Sequence, residues 1–503
     1  MKTRTIEKPD FHGKWNEIEA SALPVRPGIP GRQPFWNIYS TKGFMYAPAF
    51  DLKEIAGATS YRFTVVPKDG HPALSFVAAT PWSALSPVWN KIPVGFVKLT
   101  VEGVDGDGVV GMAGIRYFYR KALFDGKGPE AVRGYRECGA LKLKHLYESS
   151  YVQYWLNHDA PDPDYVYYCY PSKMIGAVLV GLVHYSRINP LAKDKALIMA
   201  RHAADFLIRI SAPKGSFYPY LPPTYLGESW SAKNQNDVVM MVYPGEIAMG
   251  YLDLYDATCD TCYFEAAERI ATTFAKTQLP NGTWPIKVKP GTGEVVSKND
   301  AIPIDVIRLF QRLNVQYGHR KFRSLAKKAI DWIIANPITT FNWEGQLEDV
   351  EPSAPYTNLS KGQACDVARY LLDHVGDNPK YQSWALEIIR FAEDQFVIWS
   401  HPNPDLKPNN WLTPCALEQY VWMRPINASA SDMIYAWAVA YKHTGQKIFR
   451  LKAQAMANAM TVSQLPDGEL PTYWHHTGDC WMNCSVYSAI TMIKLEEIYG
   501  ILS

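Results

Sequence analysis

The stretch Gln278–Pro285, QLPNGTWP, returns as QLPDGELP at Gln464–Pro471. The copies begin 186 residues apart, which is three units of 62. Between and around them one cycle keeps repeating. A charged amphipathic helix such as YFEAAERIATTFAKTQ leads into a long loop rich in Trp, Tyr, Pro and Gly. A plainer apolar helix such as AIPIDVIRLFQRLNV follows, and a short turn such as CDTC or TGQK starts the next cycle. In these helices apolar residues recur at spacings of three and four. Six such units reach back to about residue 131. Repeats of this size are stacked supersecondary units, none of which can bury its apolar face alone. Plain helices inside and charged helices outside describe a closed ring, a mainly α fold of (α/α)6 type built from six helical hairpins. In each copy of the motif, Pro280 or Pro466 stops an outer helix. Asn281-Gly or Asp467-Gly then makes the tight turn, a purely structural role.

Ahead of the ring the period changes. Residues 1–34 read as an irregular, proline-rich segment. Residues 35–125 carry short runs of β-branched and aromatic residues, SYRFTVVP, ALSFVAA, GFVKLTVEGV and AGIRYFYRK, split by turn signals. That spacing predicts a small β-sandwich of fibronectin or immunoglobulin-like type. Alternation in YRFTV places Tyr61, Phe63 and Val65 on one face. Residues 126–503 are left for the ring, as the catalytic domain.

With 51 basic and 49 acidic residues the net charge is +2, which argues against nucleic acid as the main partner. No run of about 18 apolar residues exists to span a membrane. The start, MKTRTIEKPDFHGKW, lacks the apolar core of a secretion signal. The chain as read is expected in the cytoplasm, or in the periplasm or outside the cell if a leader is removed before Met1. Cys259 and Cys262 form a lone CxxC, read as a turn, because no second pair supplies a zinc site. No metal or cofactor is expected.

The chain holds 31 Tyr and 16 Trp. Their flat apolar faces and polar tips suit sugar rings. In the ring all six long loops emerge on one rim, together with the N-termini of the inner helices, where function concentrates. The second loop carries Tyr225, Trp230 and Asp237. The fourth carries Trp343, Glu344, Glu348, Asp349 and Tyr356. The fifth has Glu418, Trp422 and Arg424, and the sixth has Tyr473, Trp474, His475, His476 and Trp481. Carboxylates this close in NWEGQLEDVE cannot all keep ordinary pKa values, so one of them is suited to act as a general acid. Glycoside hydrolysis needs two carboxyl groups. Glu344 and Asp349 are the first pair, with Glu348 and Asp237 as further catalytic candidates. The aromatics, Arg424 and the two histidines are the substrate-binding candidates. Lys287 and Lys289 can also hold an anionic group.

The loop FNWEGQLEDVEP and the terminal PDGELPTYW resemble six-hairpin glycosidase-type proteins with an N-terminal β-sandwich. They are similar to the β-glucuronidases of glycoside hydrolase family 154. The resemblance implies an oligo- or polysaccharide substrate from which a uronic acid is released. Two other readings stand beside it. A polysaccharide lyase or uronyl epimerase would use a Tyr or His base, from Tyr225, Tyr473 or His476. A glycan-binding protein would need no catalyst. A small β-domain before the ring favours the hydrolase, since toroidal lyases often carry a larger one after it.

Overall fold

The computed structural model describes residues 19–22, 43–349, 358–401, 403, 411–420, 422–474 and 481–503. After a helical turn at 19–22 come five strands: β1 (Gly43–Phe44), β2 (Ser60–Pro67), β3 (Leu74–Ala78), β4 (Gly95–Val104) and β5 (Val109–Arg120). They form one sheet in the order β1-β5-β4-β2-β3, antiparallel except for β1 on β5. Tyr61, Phe63 and Val65 are buried together, as their alternation requires, with Val101 and Leu99 paired to the last two. The sandwich expectation is met in its strands and its buried face. Among the described residues, however, the second layer is not a sheet. The segments 45–52 and 85–92 cover that face, and Trp89 donates from its indole nitrogen to the Met45 carbonyl at 2.9 Å. Short segments suffice because large aromatics fill the gap: Phe44 packs on Phe50 and Phe118 at 5.7 and 5.9 Å.

Among the described residues, twelve long helices follow in alternation, with one short α-helical turn, Ser150–Gln153, after the first of them. The outer ones are α1 (Tyr135–Glu148), α3 (Lys193–Ile210), α5 (Thr261–Thr277), α7 (Arg323–Ile333), α9 (Tyr381–Phe396) and α11 (Lys447–Ser463). The inner ones are α2 (Pro171–Ile188), α4 (Tyr243–Thr258), α6 (Ile304–Val315), α8 (Gly362–Asp373), α10 (Asn427–Thr444) and α12 (Met482–Glu497). Each inner helix packs on the next, and α12 closes onto α2 and α1, so the ring is complete. The apolar run of α2 is buried almost throughout. Its Gly181 lets α1 and α12 approach, since a Cβ there would meet Leu146 at 2.4 Å. CDTC is the turn expected: Cys259 ends α4 at φ 58°, and Asp260 caps α5 by accepting from Cys262 N.

The repeated QLP(N/D)G motif is a staple. Gln278 donates from its side-chain amide to Gly282 O at 2.9 Å and to Leu325 O of α7 at 3.0 Å. Gln464 donates likewise to Gly468 O and to Cys138 O of α1, both at 2.9 Å. Asn281 and Asp467 accept from the backbone two residues on, at 3.2 and 3.0 Å. Gly282 and Gly468 have φ 103° and 93°, and a Cβ at either would strike the following outer helix. The motif therefore ends one outer helix and ties it to the next, and its last copy ties the ring shut.

The sheet docks on α9. The buried Asp394 carboxylate accepts from Met45 N and Tyr46 N at 2.5 and 2.8 Å. Lys121 donates to the Asp394 carbonyl at 2.8 Å.

Candidate active site

The long loops are stitched to one another at the rim where the inner helices begin. Val239–Met240 pairs with Lys287–Val288, joining the second and third loops. Single bridges join Ser360 to Gln419 and Ile426 to Tyr473, linking the fourth loop to the fifth and the fifth to the sixth. Glu418 sits between two bridged residues, because Leu417 pairs with Pro425 and Gln419 with Ser360. Its backbone is therefore fixed, with Glu418 N donating to Arg424 O at 3.0 Å and Lys361 Nζ donating to Glu418 O at 3.0 Å.

These loops enclose a cavity of about 400 Å³. Its acidic wall is made by Glu348, Asp349 and Glu418, and its aromatic walls by Tyr167, Trp230, Trp422, Tyr473 and Trp481. The three carboxyls differ in their environments. Glu348 is buried, yet Lys173 Nζ lies 2.5 Å from its Oε1 and the Tyr243 hydroxyl donates to its Oε2 at 2.5 Å. Burial alone would raise its pKa; the Lys173 charge and these hydrogen bonds outweigh that and hold it below the usual range. Tyr225 and Lys287 both donate to the Glu348 carbonyl, so the loop is pinned here as well. Asp349, the next residue, opens onto the cavity. Partial burial and the charge of Glu348 push its pKa up. Glu418 is pushed up to about 7, first by burial and then by the charges of Asp349 and Glu348, against the pull of Lys361 and Lys173. One fixed anion thus stands beside two carboxyls that hold their protons more tightly than usual.

Arg424 lies over Trp422 at 4.4 Å and over Tyr473 at 5.7 Å, which fixes a guanidinium at the cavity wall. Lys173 lies 4.6 Å from the Trp481 ring. The pKa of Tyr473 is raised, by burial and then by Glu418.

Of the residues singled out in the sequence, the cavity brings together Glu348, Asp349, Glu418, Trp230, Trp422, Arg424, Tyr473 and Trp481. Glu344 is not among its lining residues. It is buried behind the loop, where its Oε2 accepts from Asn358 N at 3.2 Å. The pair formed with Asp349 inside the cavity is Glu418, not Glu344. Asp237 is exposed, 3.9 Å from Lys289. Tyr225, Trp343 and Trp474 are buried outside the lining, as packing residues of the loops. Lys287 is buried against Tyr225 and Glu348. Tyr356, His475 and His476 lie outside the described residues. Lys173 was missed, although a lysine in the apolar run PSKMIGAVLVGLV demands a buried counter-ion. Glu418 was placed on the rim with the fifth loop but not among the catalytic candidates, although it is a lone carboxyl in CALEQYVW.

No model of a known protein family matches the chain, and no curated protein does. Solved structures share the fold. One is a family 76 glycoside hydrolase from a bovine Bacteroides thetaiotaomicron strain, with TM-score 0.50, 10% identity, and 88% of this chain and 93% of that one covered. Another is a D-mannose isomerase, with TM-score 0.51, 10% identity, and 72% and 97% covered. The chain is thus a six-hairpin (α/α)6 toroid like these, with a sheet ahead of it. No helix among the described residues is long and apolar enough to cross a membrane.

Proposed function

We propose that this chain is a glycan-processing enzyme that cleaves a glycosidic bond by general acid–base catalysis. Glu418 donates a proton to the leaving oxygen and Asp349 acts as the ionised partner. The observation that carries this reading is the cavity's acidic wall, where Glu348 is held ionised and Glu418 is held up to about 7. A proton donor that keeps its proton until the pH approaches 7 and a second carboxyl in the same pocket are what glycoside hydrolysis asks for. Asp349 is the more open of the two, which suits it to the ionised role. Aromatic walls suit the C–H faces of sugars. Arg424, held against two rings, suits a carboxylate, so the substrate is a glycan bearing a uronic acid, as a β-glucuronidase would take. Similarity of fold to a glycoside hydrolase is consistent with this activity and, at 10% identity, argues for the scaffold alone.

A lyase would use Arg424 to neutralise the uronate and Tyr473 as base. A raised Tyr473 pKa disfavours the phenolate that such a base needs.

One incubation separates the two. The protein is given uronate-bearing plant glycans and aryl glycosides, including a glucuronide. Released reducing sugar and the ultraviolet absorbance of an unsaturated uronate are followed in parallel. Sugar release without absorbance is expected. New absorbance would replace the hydrolase by the lyase.

A further inference from the structure

We propose that a groove on the outer wall of the ring, at Phe217 and Tyr220, is a second and non-catalytic binding site for an acidic polysaccharide. This rests on the reading of the chain as a glycan-processing enzyme. The second long loop leaves α3 at Ser211 and returns at once, with Tyr220 N donating to Ala212 O at 2.7 Å and Ala212 N to Leu221 O at 3.0 Å. That return holds Tyr220 at φ 65°, a left-handed conformation that a bulky aromatic rarely adopts. Such strain persists only where the surroundings enforce it, and it gathers at ligand clamps. Nearby, Phe217 is 57% exposed. Its ring is seated on Gly293, at φ 80°, where a Cβ would meet the ring at 2.7 Å.

The groove has a volume of about 300 Å³, at the lower end of ligand sites. Its floor is the outward face of α5, with Arg269, Thr272 and Lys276, and its far side is Lys321 beside Glu268. Three cations stand against two carboxylates, Glu268 in the groove and Glu265 beside it, which leaves a surplus of one positive charge. Lys321 holds Glu268 at 2.8 Å, and Arg269, paired to Glu265 at 2.7 Å, lies 5.8 Å from the Tyr220 ring. Lys276 pairs with no carboxylate among the described residues. Two aromatic faces, threonine hydroxyls and a cationic surplus match a chain of sugars that carries carboxylates. Catalysis is absent by chemistry. The groove's single carboxyl, Glu268, is held below its usual pKa by its hydrogen bond to Lys321, and no second carboxyl stands opposite. The same loop continues to Trp230 at the catalytic cavity, so one segment serves both places. A polymer held on the wall raises the local concentration of cleavable units at the rim.

The test is affinity electrophoresis of the Asp349→Asn protein through gels holding glucuronoxylan, polygalacturonate or alginate, and through gels holding their carboxyl-reduced forms. At least one acidic polymer is expected to retard the protein and its reduced form is not. Phe217→Ala with Lys276→Glu is expected to weaken that retardation at least fivefold, as is the surface change Lys276→Glu alone to a lesser degree. In the native background the same pair of changes leaves turnover of a short aryl glycoside unaltered. Absence of retardation by every acidic polymer, equal retardation by a reduced form, or retardation that survives both variants would each overturn the groove. Retardation lost with the groove in a protein that turns over no glycan would keep the groove and remove the catalytic reading.

Discussion

Lys173 Nζ lies 2.5 Å from Glu348 Oε1, with one side chain 16% exposed and the other 1%. This pair joins the first turn of an inner helix to the fourth long loop and makes the floor of the acidic wall. Removing one partner of a buried ion pair leaves an unpaired charge and costs about 3–5 kcal/mol, whereas replacing both by apolar groups costs far less. Lys173→Met is therefore expected to lower unfolding free energy by that amount in urea titration, and Lys173→Met with Glu348→Leu to recover most of it. A single variant as stable as the native chain would show that the pair does not organise the site.

Glu418→Gln removes the proposed proton donor. The rate is expected to fall about 10²–10⁴-fold. Native activity should decline as pH rises through about 7, where Glu418 loses its proton, and that alkaline limb should vanish in the variant. Asp349 must be ionised to act, and its pKa is raised, so the acid limb should lie above the ordinary range for an aspartate. Asp349→Asn is expected to lose as much activity as Glu418→Gln. Glu344→Gln, which lies outside the cavity lining and whose Oε2 accepts from Asn358 N, should keep its rate within about threefold, under 1 kcal/mol of barrier. Inactivation by Glu344→Gln with survival of Glu418→Gln would exchange the two assignments.

The ring was legible because its evidence is periodic. Charged and plain helices alternate, and a spacing of 62 survives in QLPNG and QLPDG even where the rest of each unit has diverged. The acidic rim was legible as a cluster, but not the partition of its members. NWEGQLEDVE contains Glu344, Glu348 and Asp349 in one short run, and its backbone sends Glu344 to the Asn358 amide, Glu348 to Lys173 and Asp349 to the cavity. Spacing along a loop carries no periodicity from which those directions follow. Glu418 comes from another unit 69 residues on from Asp349, and only the bridges between loops bring them together. The second layer of the β-domain was not legible for a related reason. Alternation reports which face of a strand is buried and is silent on whether a sheet or two irregular segments bury it.

Gln278→Ala and Gln464→Ala test the staple. Each deletes two hydrogen bonds to backbone carbonyls, worth about 1–3 kcal/mol where the acceptors stay buried. Gln464 is the more buried of the two and also accepts from Arg133 at 2.9 Å, and its copy joins the last hairpin to the first. Its loss is expected to lower the thermal midpoint more than that of Gln278, by calorimetry. Equal effects would mean that closure is carried by α12 packing on α1 and α2, with the staple as a local turn only.

The residue after the second turn glycine gives the ring a pH dependence. Glu469 is ion-paired to the buried Lys142 of α1 and to His145, 3.0 Å away. Burial raises its pKa, but the charge of Lys142 and the hydrogen bonds from His145 and Lys142 bring it down to about 2. A carboxyl whose folded pKa lies below its unfolded value stabilises fully above the unfolded value, near 4.5, and loses that contribution as pH falls towards 2. His145 has the opposite sign. Its pKa is raised, first by the hydrogen bond to Glu469, so its share is complete below 6.5 and is lost as pH climbs through the raised value. Glu469→Gln strands the Lys142 ammonium in the core and is expected to unfold at a lower temperature than the native chain at pH 6. The difference between the two midpoints should shrink steadily from pH 4.5 to pH 3, because the native carboxylate is losing its advantage while the variant has none to lose. A gap that stays constant over that range would place the stabilisation in packing at position 469 rather than in its charge.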